Sequence, residues 1–248
     1  MSNIFITGCA RSGTTLLNRL FHAFEDVRVI DRETSLDDFI SLGRSDMVVV
    51  AKRTPKTILS VPLAREELRR QEERVLESRI IVVNIVRDGR DVVHRHPRGP
   101  RVDLNRWIGC MLQSRRFRHL ISLELRYEDL VQKPDEAQSR IESVAGLARA
   151  FRFSEYPDFV DTDAFAVPDF AGLEQYEPRP IDRRSLGHSP TEYLALSTSD
   201  AERELFERTL VRMGYAGEGD SCGWNDEQLA ADQALFEALS RDLGYGCS

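Results

Sequence analysis

The sequence predicts an α/β fold in three layers, with a central parallel sheet flanked by helices. Three observations carry this. Short apolar and β-branched runs recur in the first 127 residues: "NIFIT" (3–7), "MVVVAK" (47–52), "RIIVVNIV" (79–86) and "SLELRY" (122–127). Segments with helical apolar spacing separate them, and that alternation suits a parallel sheet covered on both faces. The first run stops at Gly8 and opens a Gly-x-x-x-x-Gly loop leading into a helix, the strand–loop–helix context of a phosphate-binding loop (P-loop).

Each element follows from its own residues. "NIFIT" reads as a buried first strand. "TTLLNRLFHAF" (14–24) places Leu16, Leu17, Leu20, Phe21 and Phe24 at helical spacing. "MVVVAK" is a second buried strand, and "SVPLAREELRRQEERVLES" (60–78) a charged, periodic helix. "RIIVVNIV" is an almost continuous apolar run, as expected in the middle of a parallel sheet. "DLNRWIGCMLQSRRFRHLI" (103–121) is helical, with Trp107, Met111, Leu112 and Leu120 on one side. "PDEAQSRIESVAGL" (134–147) starts with Pro134 and stops at Gly146, as helices do.

Residues 151–190 have no clear period and carry five prolines, which predicts a long ordered loop of the kind that covers a site. "TSDAERELFERTLVRMGY" (198–215) and "WNDEQLAADQALFEALSRDLGY" (224–245) are amphipathic helices. The expected organisation is one α/β domain over 1–215 and a C-terminal helical extension over 216–248 packed on it.

Composition narrows the function. The chain has 248 residues, 41% hydrophobic and 30% charged, and a net charge of −7. That balance disfavours bulk attraction to nucleic acid or an anionic membrane. No apolar run approaches the roughly 20 residues of a membrane helix. The N-terminus lacks a basic segment followed by an apolar stretch and a cleavage site, so a cytoplasmic protein is expected. The four cysteines, Cys9, Cys110, Cys222 and Cys247, form no Cys-x-x-Cys pair or zinc spacing and read as reduced thiols. Cys9 lies inside the glycine loop, a place where alkylation would inhibit.

The loop, "GCARSGTTLL" (8–17), departs from the nucleotide triphosphatase form. There a lysine follows the second glycine and reaches the β- and γ-phosphates, and a Ser/Thr neighbour holds Mg²⁺. Here Thr14 follows Gly13, and the loop's cation is Arg11. The strand ends at 47–52 and 79–86 also lack an apolar run followed by an acidic metal partner. An ATPase or kinase is disfavoured on both counts.

"CARSGTTLL" resembles the 5′-phosphosulfate loop of the sulfotransferases that use 3′-phosphoadenosine 5′-phosphosulfate (PAPS), which reads [K/R]-S-G-T-T after a strand. The resemblance implies that Arg11, Ser12, Gly13, Thr14 and Thr15 hold the 5′-phosphate and sulfonate, and that no metal is needed. "VRDGRDVV" (86–93) is similar to the family's 3′-phosphate segment. Arg87 matches its arginine. The serine expected about two helical turns on is missing: counting eight residues reaches Arg95, and anchoring on V-S-R-H places His94 there. Between Arg87 and His119 lie nine Arg and three Asp, a local excess of positive charge that begins at a strand end.

"AKRTPKTILSVP" (51–62) looks like the family's K-T-P segment, and "LRYEDLVQKP" (125–134) its R-Y-E-D-L stretch. There Glu128 and Asp129 are expected to cap or pair locally. "RRSLGHSP" (183–190) stands where the family has S-x-G-R-W, with Arg184 just before the matching Ser185. In tyrosylprotein-type relatives a Glu-Thr pair supplies the general base, which implies Glu33, beside Thr34, in an acidic turn. Asp31, His22 and His94 are alternatives, with His22 expected to pack on its helix. Lys52 or Arg53 would stabilise the leaving oxygen.

The activity implied is transfer of a sulfonate from PAPS to a hydroxyl of a small molecule, peptide or carbohydrate. Phe165, Phe170 and Tyr176 either line an apolar acceptor pocket or pack their loop. A non-catalytic nucleotide-binding relative and a small-molecule P-loop kinase remain open alternatives.

Overall fold

A computed structural model describes residues 2–42, 46–53, 65–93, 102–156, 186, 199–217 and 223–242. Five parallel strands form the sheet: β1 (Ile4–Thr7), β2 (Val27–Thr34), β3 (Val48–Arg53), β4 (Ile81–Val86) and β5 (Leu123–Arg126), in the order β2-β3-β1-β4-β5. The helices are α1 (Thr14–Leu20), α2 (Leu36–Ser41), α3 (Arg65–Ser78), α4 (Gly89–Val92), α5 (Leu104–Arg116), α6 (Tyr127–Gln132), α7 (Pro134–Ala145), α8 (Asp200–Arg212) and α9 (Asp226–Asp242). The expected three-layer α/β architecture is the one observed.

Strand alternation builds the layers. Ile4, Ile6, Val48, Val50, Val83 and Ile85 face a core shared with Leu17 and Leu20 of α1 and Ile141 of α7. Phe5, Val49, Ala51 and Val82 face the opposite side, against Phe39 of α2 and Leu68 and Val75 of α3. A third cluster joins Val86 to Trp107 and Met111 of α5 and Leu205 and Phe206 of α8. Side chains two apart share a face and adjacent ones oppose, so β1, β3 and β4 each feed two cores.

Local chemistry sets several boundaries. Asp103 accepts from the Arg106 N–H at 2.8 Å to start α5, and Ser199 accepts from Glu202 at 3.1 Å to start α8. Gly146 ends α7 in the left-handed conformation, φ 65. α9 packs on α5 and α8: Asp232 pairs with Arg208 at 3.0 Å and accepts from Trp224 Nε1 at 2.9 Å.

Several sequence expectations change. Residues 27–34 form a strand, so Glu33 lies on β2 and not in an acidic turn. The helix expected over 14–24 ends at Leu20 and tightens into a 3₁₀ turn over Phe21–Ala23. The helix expected over 103–121 ends at Arg116, because Phe117 (φ −101, ψ 29) leaves the helical region. The strand expected through Tyr127 ends at Arg126, and α6 starts at once. Most of the 151–190 loop lies outside the described residues, including Phe165, Phe170 and Tyr176.

Candidate active site

The glycine loop leaves the carboxyl end of β1, between its neighbours β3 and β4. Open α/β sheets bind ligands at such a point, where connections diverge to the two sides. Backbone geometry explains both glycines. Gly8 has φ 148, and a Cβ there would lie 2.4 Å from the Ile85 carbonyl oxygen of β4. Gly13 has φ 96, and a Cβ there would lie 2.3 Å from the Tyr127 ring. No other residue fits either place without displacing its neighbour.

Arg11 is exposed and also left-handed, φ 71, which costs a non-glycine residue about 1–3 kcal/mol. That conformation is held from outside the loop. Arg87, at the end of β4, donates from Nη1 to the Arg11 carbonyl at 3.1 Å. Ser12 donates its N–H to the Cys9 carbonyl at 3.2 Å. Its side chain is fully buried, and Oγ has no hydrogen-bond partner among the described residues. A buried hydroxyl without a partner inside a loop of this shape fits a bound anionic oxygen.

Two further cations come from β3. Lys52 Nζ donates to Thr15 Oγ1 at 3.0 Å, across 37 residues of sequence. Arg53 is buried and donates from Nε to the Gly8 carbonyl at 3.1 Å. Strand parity explains the division. Lys52 follows Val48 and Val50 onto the α1 face, and Arg53 takes the opposite parity. Burial pushes the Lys52 ammonium below its ordinary range, and the Glu33 carboxylate pulls it back up. Burial likewise lowers Arg53.

Glu33 is exposed and pairs in strand register with Lys52, as Thr34 does with Arg53. A bulge between Ile30 and Glu33 resets β2 just before this pairing. Asp31 Oδ2 lies 3.9 Å from His22 Nε2. His22 is exposed on the 3₁₀ turn between buried Phe21 and Ala23, contrary to the packed helical histidine expected.

Arg87 is buried, its guanidinium carbon 4.3 Å from the centre of the Tyr127 ring. Asp91 Oδ2 is 3.8 Å from its Nη2, and the Trp107 indole N–H donates to the Arg87 carbonyl at 3.1 Å. Glu128 Oε1 accepts from the Asp88 N–H at 2.9 Å, a partner 40 residues away, which corrects the local pairing expected of it. Burial pushes the Glu128 carboxyl above its ordinary range.

The structure therefore gathers Arg11, Ser12, Gly13, Thr14, Thr15, Lys52, Arg53 and Arg87 on one loop and its two flanking strand ends, with Glu33 beside Lys52. His94, Arg95 and Arg184 lie outside the described residues. Tyr127 is the component that sequence reading missed. Cys9 is fully buried against Cys110 of α5, which shields it from the alkylation expected of a loop thiol. A thiol hydrogen bond with Cys110 lowers Cys9, and burial raises Cys110. Among the described residues, no three His, Cys, Asp or Glu side chains gather as a metal site. None of the described helices is long and apolar enough to cross a membrane.

No family model and no curated protein matches this chain. Among solved structures it is similar to the mouse sulfotransferase SULT7A1 complexed with PAP, at 12% identity and a TM-score of 0.47. That likeness covers 96% of this chain and 89% of the other.

Proposed function

We propose that this chain is a cytoplasmic PAPS-dependent sulfotransferase that acts on a hydroxyl of a small molecule, peptide or carbohydrate. One observation carries the reading. Three cations from neighbouring strand ends, Lys52, Arg53 and Arg87, bond directly to a phosphate-loop segment whose own lysine position is Thr14. Positive charge is supplied around the loop rather than within it, which suits a 5′-phosphate and sulfonate without a triphosphate's metal.

The residues divide the work. The loop N–H groups of 11–15, the start of α1 and the Ser12 and Thr15 hydroxyls would hold the 5′ end. Arg87 would take the 3′-phosphate, with Arg11 adding charge at the loop. PAPS, when bound, supplies an activated sulfonate. Glu33 would accept the proton of the acceptor hydroxyl, a contribution of about 10²–10⁴-fold in rate. Lys52, fixed on Thr15, would stabilise negative charge developing at the 5′-phosphate. Arg53 keeps the Gly8 carbonyl in place and shapes the loop.

Thermal unfolding of the full chain tests this. Adenosine 3′,5′-bisphosphate at 100 times its Kd should stabilise by about 2.7 kcal/mol, or roughly 5–10 °C at this chain length. ATP–Mg²⁺ should do less. Stabilisation by ATP–Mg²⁺ alone would overturn the reading in favour of a kinase. Arg11→Ala and Arg87→Ala should weaken bisphosphate binding, whereas Glu33→Gln should retain it and lose transfer. Full transfer by Glu33→Gln would remove the base from Glu33.

A further inference from the structure

The Tyr127 side chain touches both halves of the site. Its ring lies against the Arg87 guanidinium, 4.3 Å from ring centre to guanidinium carbon. The same ring closes the space beside Gly13, where a Cβ would lie 2.3 Å from Cδ2 and 2.8 Å from Cε2. Arg87 returns to the loop through its 3.1 Å bond to the Arg11 carbonyl. Gly13, Tyr127, Arg87 and Arg11 therefore form a closed circuit of contacts.

The corner that carries Tyr127 is itself well fixed. β5 ends at Arg126 and α6 begins at Tyr127, which is buried. The adjacent Glu128 accepts from the Asp88 N–H, so two consecutive side chains hold the Arg87–Asp88 segment. An arginine has four side-chain torsions. A ring face attracts the guanidinium and limits the directions it samples.

We propose that Tyr127 is a positioning residue: it sets the Arg87 guanidinium in register with the Gly13 turn, so that one ring couples the grip on a ligand's 3′-phosphate to the loop that grips its 5′-phosphate. The ligand side of this inference rests on the nucleotide reading above. The geometric side does not.

Titration calorimetry on the full chain, with adenosine 3′,5′-bisphosphate and with AMP, tests the ligand side. Tyr127→Phe keeps the ring and should keep the wild-type preference for the bisphosphate. Tyr127→Leu should lose roughly tenfold of that preference, the range of a cation–π contact. Arg87→Ala should abolish it, and adding Tyr127→Leu to Arg87→Ala should change it no further. If Tyr127→Leu does not fold, Tyr127→Met, unbranched and adaptable but without a ring, takes its place. Equal loss toward both ligands, or an intact preference, would make Tyr127 a packing residue only and overturn the proposal.

If wild type shows no preference for the bisphosphate, the nucleotide reading fails, and a ligand-free measurement decides the positioning. The Arg87 Nε–H resonance, assigned with Arg87→Lys, should be ring-current shifted in wild type and Tyr127→Phe. It should move to the position of exposed arginines in Tyr127→Leu. An unmoved resonance would overturn the positioning role.

Discussion

Replacing Gly13 with alanine tests the geometry of the loop without any ligand. Two penalties add at this position. The backbone has φ 96, where an L-residue loses about 1–2 kcal/mol. The new methyl would meet the Tyr127 ring at 2.3 Å, and forcing extra volume into a packed site costs about 1–3 kcal/mol. Together they predict a loss of roughly 2–5 kcal/mol, a large part of the ~5–15 kcal/mol by which folded chains are stable. At this length a loss of that size lowers Tm by roughly 4–20 °C. Gly146→Ala is the internal control. Gly146 is also left-handed, φ 65, but a Cβ there meets nothing within 4 Å, so only the backbone penalty applies. Melting both variants by circular dichroism should place Gly13→Ala below Gly146→Ala by the ~1–3 kcal/mol of the clash. Equal melting temperatures would mean that Tyr127 does not line the turn, and the circuit through Arg87 would lose its basis.

Two titrating groups give further expectations. Burial raises the Glu128 carboxyl above its ordinary 4.5, so the folded chain keeps a proton that the unfolded chain has lost, and stability falls as pH rises from 4.5 through the folded pKa. Glu128→Gln keeps an acceptor for the Asp88 N–H without a charge. It should flatten that fall and be at least as stable as wild type at pH 7, whereas Glu128→Leu strands the N–H and should lose about 1–3 kcal/mol. Denaturant melts across pH check both, and a Glu128→Gln profile parallel to wild type would refute the assignment. Burial holds Lys52 below its ordinary 10.5. Between its folded pKa and 10.5 the unfolded chain binds the extra proton, so stability rises with pH there. Subtracting the Lys52→Met profile should isolate that rise, and no difference between the profiles would refute it.

Much of this site is legible in the sequence because it is local. "NIFIT" ending at Gly8 announces a strand, a loop and a helix in close succession, and all three are present. The buried strands β3 and β4 are visible for the same reason: apolar on both faces, they read as uninterrupted runs. β2 escapes notice because it is an edge. Among the described residues it pairs only with β3, its burial is partial along "VRVIDRET", and the bulge after Ile30 breaks the alternation that marks a half-buried strand. α6 escapes because it starts in the residue after β5, with no loop to separate the two patterns. Tyr127 and Glu128 stand in a readable motif, yet their partners Gly13, Arg87 and Asp88 come from other strand ends, and only the tertiary fold shows those contacts.

The missing loop lysine has an account in the order of the strands. β1 lies between β3 and β4, so the carboxyl ends of both neighbours fall on either side of the loop. β3 delivers Lys52 to Thr15 and Arg53 to the Gly8 carbonyl, and β4 delivers Arg87 to the Arg11 carbonyl. Two of these three cations also bond backbone carbonyls, which would otherwise present negative potential toward a bound anion. Cancelling it there leaves the loop N–H groups and the α1 terminus as the dominant field at the ligand. A lysine at position 14 would add a mobile charge at the centre of that field. Fixed cations at the rim polarise the loop while leaving its interior to hydroxyls, which both donate and accept. Lys52 is the exception that matters, since it bonds a hydroxyl rather than a carbonyl and stands in register with Glu33. Under the proposed function it is the cation placed to stabilise a developing anion, so Lys52→Met should lower transfer more than bisphosphate binding.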